Sequence, residues 1–231
     1  MKKLITYSIL VLCLFLSAIS AQAQTYWNGT ADTEFAGSGT ETDPYLITTA
    51  EELAGLAARV NDTVNREDFA GKYFKLTNDL YLTDFTEPDT TKWHEWTPIG
   101  AWTDEQEGPY EHYFDTCYFR GHFDGGNHTI HNIYMGTVGE IYIPDADDPL
   151  GSDIIDLTGS CQGFFGFVDH ATIKNLNLQN AGITAANYYN GGLISNAYNS
   201  TITNCHVRKS TVVAAVASEV GGLIGLLNLL L

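Results

Sequence analysis

The chain has 231 residues, with 28 Asp and Glu against 11 Lys and Arg and a formal net charge of −17. That balance argues against nucleic-acid and anionic-membrane partners, which need clustered Lys and Arg to displace counterions, and it fits a solvated extracellular protein or one that attracts divalent cations. Four cysteines with no C-x-x-C spacing exclude a redox pair of the thioredoxin type and a zinc knuckle.

The first predicted element is an export signal. Lys2 and Lys3 precede an uncharged apolar run over 4–19, and Ala21-Gln22-Ala23 fits the small-x-small cleavage rule. Residues 1–23 are therefore read as a signal peptide, with Gln24 as the mature start. The run is shorter than the roughly 20 residues a span needs, and the mature chain is expected to have no transmembrane span. Cleavage leaves Cys117, Cys161 and Cys205. An oxidising compartment permits one pair at most, such as Cys117–Cys161. Cys205 falls where other repeats carry aliphatic residues, and is expected as a small buried hydrophobe.

Residues 24–62 read as a leading loop, a first strand and a capping helix. The loop carries Gly37-Ser38-Gly39-Thr40 and Asp43-Pro44, and Tyr45-Leu46-Ile47 is the strand. Thr49 with Glu52 makes a capping box. Leu53, Leu56, Ala57 and Val60 then share one helical face, and Asn61-Asp62 ends the helix. Such a helix suits the open end of a stack of strands, where apolar core and unpaired edges would otherwise meet water.

Residues 63–231 are expected to form the repeats. Tyr73-Phe74-Lys75-Leu76 and Asp79-Leu80-Tyr81-Leu82 begin the strands. A polar, loop-like stretch follows, with Trp93, Trp96, Trp102, Tyr110 and Tyr113. Aromatics exposed in such a loop stack on sugars, so Trp93, Trp96, Trp102 and Tyr110 are candidate glycan-stacking residues; the alternative is that they pack over the first strands. His94-Glu95-Trp96-Thr97-Pro98 begins like H-E-x-x-H, but Pro98 occupies the second ligand position and opposes the helix that motif requires. His122, Asp124, His128 and His131 are near neighbours, readable as a metal cluster or as an ordinary strand and turn.

The main signal is a repeat. Thr129-Ile130-His131-Asn132-Ile133, Thr172-Ile173-Lys174-Asn175-Leu176 and Thr201-Ile202-Thr203-Asn204-Cys205 share the pattern Thr-Ile-x-Asn-apolar. A second phrase, Gly163-Phe164-Phe165-Gly166, recurs as Gly192-Leu193-Ile194-Ser195 and Gly222-Leu223-Ile224-Gly225. Both phrases step by 29 or 30 residues over the later repeats, and an insertion at 136–160 accounts for a longer first step. The words are rich in Ile, Leu, Thr and Val and broken by Gly and Asn, which favours strands over helix pairs. Stacked coils would place Ile130, Ile173 and Ile202 in one apolar column and Asn132, Asn175 and Asn204 in one turn column. The expected class is all-β, a stacked solenoid; hairpin turns of a β-sandwich are the competing reading, though a sandwich needs no fixed period.

The insertion holds Asp145, Asp147, Asp148, Asp153 and Asp156. Oxygen ligands at that density suit calcium, and a solvated acidic loop is the alternative; no other cofactor is indicated. There is no Gly-x-Ser-x-Gly word and no phosphate loop. A polysaccharide-cleaving site would need paired carboxylates or a basic residue beside a cation. Arg208 and Lys209 have no acidic cluster beside them in the repeat, so no catalytic residue is assigned. The chain ends Leu226-Leu227-Asn228-Leu229-Leu230-Leu231, unlike the polar cap a solenoid needs, and is expected to be truncated.

Asp43-Pro44-Tyr45-Leu46-Ile47, Glu51-Glu52-Leu53, Trp96-Thr97-Pro98-Ile99-Gly100, Phe123-Asp124-Gly125-Gly126-Asn127-His128-Thr129-Ile130 and Gly222-Leu223-Ile224-Gly225 together resemble the Glug-motif proteins, secreted and surface proteins of Bacteroidetes-type bacteria that also occur beside IgA-type peptidases. The resemblance covers about residues 37–225. It implies a right-handed parallel β-helix of the pectin-lyase-like type and an adhesin-like or spacer role at the cell surface, without defined catalytic residues. The expected partner is an extracellular glycan or a host or cell-surface protein; a polysaccharide lyase or hydrolase, or a carbohydrate-binding module, is the alternative.

Overall fold

The computed structural model describes residues 24–106, 112–136, 161–185, 189–214 and 220–228. Residues 1–23, Tyr110, the five aspartates of the 136–160 insertion and the last three leucines lie outside the described residues. The regular structure of the described chain is mostly strand, in parallel sheets and one antiparallel hairpin, with one α-helix.

Short strands separated by short corners build the chain in tiers. The first tier holds β1 (Tyr45–Ile47) and α1 (Ala50–Asn61). The second holds β2 (Tyr73–Leu76) and β3 (Leu80–Tyr81), and extends a hairpin of β4 (Trp102–Gln106) and β5 (His112–Thr116). The third holds β6 (His122–Asp124), β7 (Thr129–His131), β8 (Tyr134–Met135) and β9 (Phe165–Asp169). The fourth runs through β10 (Thr172–Lys174), β11 (Asn177–Gln179), β12 (Gly182–Ala185), β13 (Asn190–Gly191) and β14 (Ile194–Tyr198). The fifth repeats it as β15 (Thr201–Thr203), β16 (His206–Arg208), β17 (Thr211–Ala214), β18 (Val220–Gly221) and β19 (Ile224–Asn228).

Like strands pair in parallel from tier to tier: β1-β2-β6-β10-β15 in a first sheet, β3-β7-β11-β16 in a second, β8-β12-β17 in a third and β9-β14-β19 in a fourth. Register then fixes which side chains share a column. Tyr45, Phe74, Phe123, Ile173 and Ile202 line up in the first sheet. Leu80, Ile130, Leu178 and Val207 line up in the second, and Ile99, Phe165, Ile194 and Ile224 in the fourth. Phe74, Phe123, Ile130, Phe165, Ile173, Leu178 and Ile194 are buried in one continuous cluster. Each such side chain contributes about 1.5–3 kcal/mol by leaving water. The column members of the fifth tier, Ile202, Val207 and Ile224, are only partly buried against that cluster.

Two expectations need correction. Ile173 and Ile202 pair as predicted, but their third-tier partner is Phe123, while Ile130 lies in the second sheet opposite Leu178. The expected asparagine column likewise divides in two. Asn204 donates to Asn175 Oδ1 at 2.8 Å at one corner, and Asn180 donates to Asn132 Oδ1 at 2.9 Å at the next. Asn132, Asn175, Asn180 and Asn204 all have positive φ, from 51° to 61°, a conformation asparagine tolerates better than most L-residues. The Gly-apolar-apolar phrase aligns as read, with Phe165 opposite Ile194 and Ile194 opposite Ile224.

Glycine does steric work at Gly191 and Gly221, which face each other across β13 and β18. A Cβ on either would strike the carbonyl oxygen of Ile194 or Ile224. At the first tier, Thr49 and Glu52 form the capping box, and Leu53, Leu56, Ala57 and Val60 are buried. The helix follows β1, the outermost strand of the first sheet. Cys161 is a free thiol, so the Cys117–Cys161 pair is not formed. Burial pushes the Cys161 thiol up to about 12, against a hydrogen bond with Ser195. Cys205 packs half-buried on the core.

Candidate functional site

The three candidate tryptophans among the described residues are drawn into packing. Trp96 is 2% exposed, stacks on Phe164 at 5.4 Å and donates its indole N–H to the Phe164 carbonyl at 3.1 Å. A ring so placed has no face for a sugar, which corrects its assignment as a stacking residue. Trp93 is half-buried edge-to-face against Phe85 and Tyr134, with its N–H on the Glu87 carbonyl. Trp102 opens β4 and stacks on Phe167 at 5.4 Å. The stretch read as a loop is thus, in part, the antiparallel β4–β5 hairpin, in which Trp102 pairs with Thr116.

The four residues weighed as a metal cluster take separate partners. His122 stacks on Tyr73 and His131 on Tyr81, both at 4.3 Å between ring centroids. His128 Nδ1 lies 3.2 Å from Asp79. Asp124 accepts from Asn175 at 3.0 Å and pairs with Lys174. Burial opposes its ionisation, but the Asn175 amide, the Gly126 N–H and Lys174 hold the carboxyl below its ordinary value.

The second sheet assembles a different candidate. Its middle residues point into the core, so the flanking residues of each strand face outward, as period-two alternation requires. One outward row is Thr129, Asn177 and His206; the other is Tyr81, His131, Gln179 and Arg208. Tyr81 and His131 stack with nearly parallel rings, 6° between their planes. Burial lowers the His131 pKa against the opposing charge of Asp79, which favours the neutral ring for stacking. At the near corner Asn177 donates to the Asn127 and His128 carbonyls at 3.0 and 3.2 Å.

A polar groove of about 310 Å³ runs between Asn127, Thr129, Asn177, Gln179, His206 and Arg208. Amide, hydroxyl, imidazole and guanidinium groups there supply donors and acceptors, the kind of set that holds polyhydroxyl ligands. Sequence reasoning missed this face, although its signal was present: each strand word carries one apolar residue flanked by polar ones. No protein-family model, curated protein or solved structure matches the chain.

Proposed function

We propose that this chain is an exported, non-catalytic right-handed parallel β-helix, capped by its helix, that displays outward polar rows to an extracellular glycan as an adhesion or spacer module of the Glug-motif kind. The observation that carries the reading is the register itself. Three successive tiers put Thr129, Asn177 and His206 in one outward row beside His131, Gln179 and Arg208. Strands about 4.8 Å apart make that face a regular array along which an extended polymer can lie. The acidic charge suits an exported surface protein, and the signal-like first 23 residues support export.

The experiment is a glycan array read with the mature chain, followed by the same glycans in a turnover assay with and without calcium. The expected result is binding without release of reducing or unsaturated ends, weakened by Gln179→Ala and Arg208→Ala. Release of such ends would replace this reading with a polysaccharide-active enzyme. Mass spectrometry of the exported protein checks the mature start at Gln24, and an experimental structure checks the handedness of the coil.

A further inference from the structure

Cations are scarce in this chain, yet they gather at one place on the first three tiers. A cleft of about 400 Å³ is lined by Arg66, Lys72 and Arg120, with Glu67 and Asp68 between them and Tyr45 and Tyr118 among its walls. Arg59 adjoins it, bound to both Glu67 carboxylate oxygens at 2.9 and 2.7 Å. Four of the chain's 11 Lys and Arg thus meet at one cleft of a protein carrying 28 acids.

The cleft is held in shape by its own ion pairs. The Arg120 side chain is 38% exposed; it donates through Nε to Asp169 at 2.9 Å and through Nη1 to Asp68 at 3.0 Å. Its guanidinium lies 5.3 Å from the Tyr118 ring centroid. The Asp68 backbone carbonyl also accepts from the Arg120 N–H at 2.7 Å. Nη2 of Arg120 has no partner among the described residues, and neither has the exposed ammonium of Lys72. Both donors stand beside Tyr45 and Tyr118.

We propose that this cleft binds a uronate unit of an acidic glycan, with Lys72 and Arg120 taking the sugar carboxylate. The site goes beyond the groove on the second sheet and does not depend on it. With Nε and Nη1 of Arg120 engaged, Nη2 offers a sugar carboxylate one charge-assisted bond and the Lys72 ammonium offers another. Glu67 and Asp68 beside the cations supply acceptors for hydroxyl donors, so the site suits a ligand with both an anionic group and hydroxyls. The tyrosine rings offer apolar walls to the C–H faces of a sugar ring. Glu67, Asp68 and Asp169 offset Arg59 and Arg120 locally, so the attraction for an anion rests chiefly on Lys72, while screening at physiological salt limits the field of the more distant acids to about 8 Å.

The test is calorimetric titration of the mature chain with a hyaluronan tetrasaccharide. The expected result is binding that weakens as sodium chloride rises, and no binding of the carboxyl-reduced, neutral tetrasaccharide. Lys72→Glu weakens binding by about tenfold or more, the worth of one charge-assisted bond. Lys92→Glu makes the same change of net charge at an exposed site away from the cleft and leaves binding unaltered. Equal binding of the reduced sugar, equal effects of the two substitutions, or no binding overturns the proposal. Binding of citrate as tight as that of the tetrasaccharide also overturns it, since the cleft would then recognise charge alone. Gln179→Ala should not alter this titration, so failure here is distinguishable from failure of the second-sheet groove.

Discussion

Replacing Asn175 separates two forces that the corners combine. Its Nδ2 donates to Asp124 at 3.0 Å, its Oδ1 accepts from Asn204 at 2.8 Å, and its φ is 54°. Loss of the amide–amide bond costs about 1 kcal/mol, and loss of the partly exposed bond to a charged oxygen costs about 1.5 kcal/mol. Alanine at positive φ adds about 1 kcal/mol of steric strain, so Asn175→Ala should destabilise by roughly 3.5 kcal/mol. Asn175→Gly loses the same two bonds but is unstrained there. It adds unfolded-state entropy instead, about 0.4–1 kcal/mol, and should fall slightly short of alanine. Urea unfolding followed by circular dichroism, with the slope unchanged, measures both. A glycine variant as stable as the parent would refute the ladder, and an alanine variant more stable than the glycine one would refute the strain.

The same corner predicts a pH effect. Asp124 is held below its ordinary value in the fold, so its contribution is complete above the unfolded value near 3.8 and is lost as pH falls through the lower folded one. Acid titration of stability should be shallower in Asn175→Ala than in the parent; equal profiles would count against it. Phe165→Ala, emptying a fully buried column position between Ile99 and Ile194, should cost about 3–5 kcal/mol by the same urea assay, and a loss under 1 kcal/mol would mean the site collapses around the gap. Iodoacetamide at pH 8 should leave Cys161 unmodified in the folded chain and modify it on unfolding, because burial raises its thiol to about 12; rapid native labelling read by mass spectrometry would contradict this.

Much of the fold was legible because some positions leave chemical marks. The capping box at Thr49 and Glu52, the buried face of the helix and the column Phe165, Ile194 and Ile224 follow from spacing alone. The register of the third tier was not legible, for a physical reason. Thr-Ile-x-Asn marks a strand entering a left-handed corner, and successive corners of one tier use the same chemistry. Thr129-Ile130-His131-Asn132 enters the second corner and Thr172-Ile173-Lys174-Asn175 the first, so matching words slid the alignment by one sheet. The longer corner at Gly125–His128 hid the slip, since β10 and β11 are joined by only two residues. The cationic cleft was illegible because Tyr45, Lys72 and Arg120 are distant in sequence and meet only when tiers stack.

The hairpin of β4 and β5 leaves and rejoins the second tier at neighbouring points. Ile99 is pinned to Phe165 on one side and Phe119 to Val168 on the other, and the Cys117 N–H closes onto the Ala101 carbonyl at 2.8 Å. Whatever lies between these anchors can change length without shifting a single column, and doubling such a segment adds only about 0.6 kcal/mol of closure entropy. The scaffold therefore carries a socket where new sequence can be grafted, so that the outer surface can diversify while the interior stays the same.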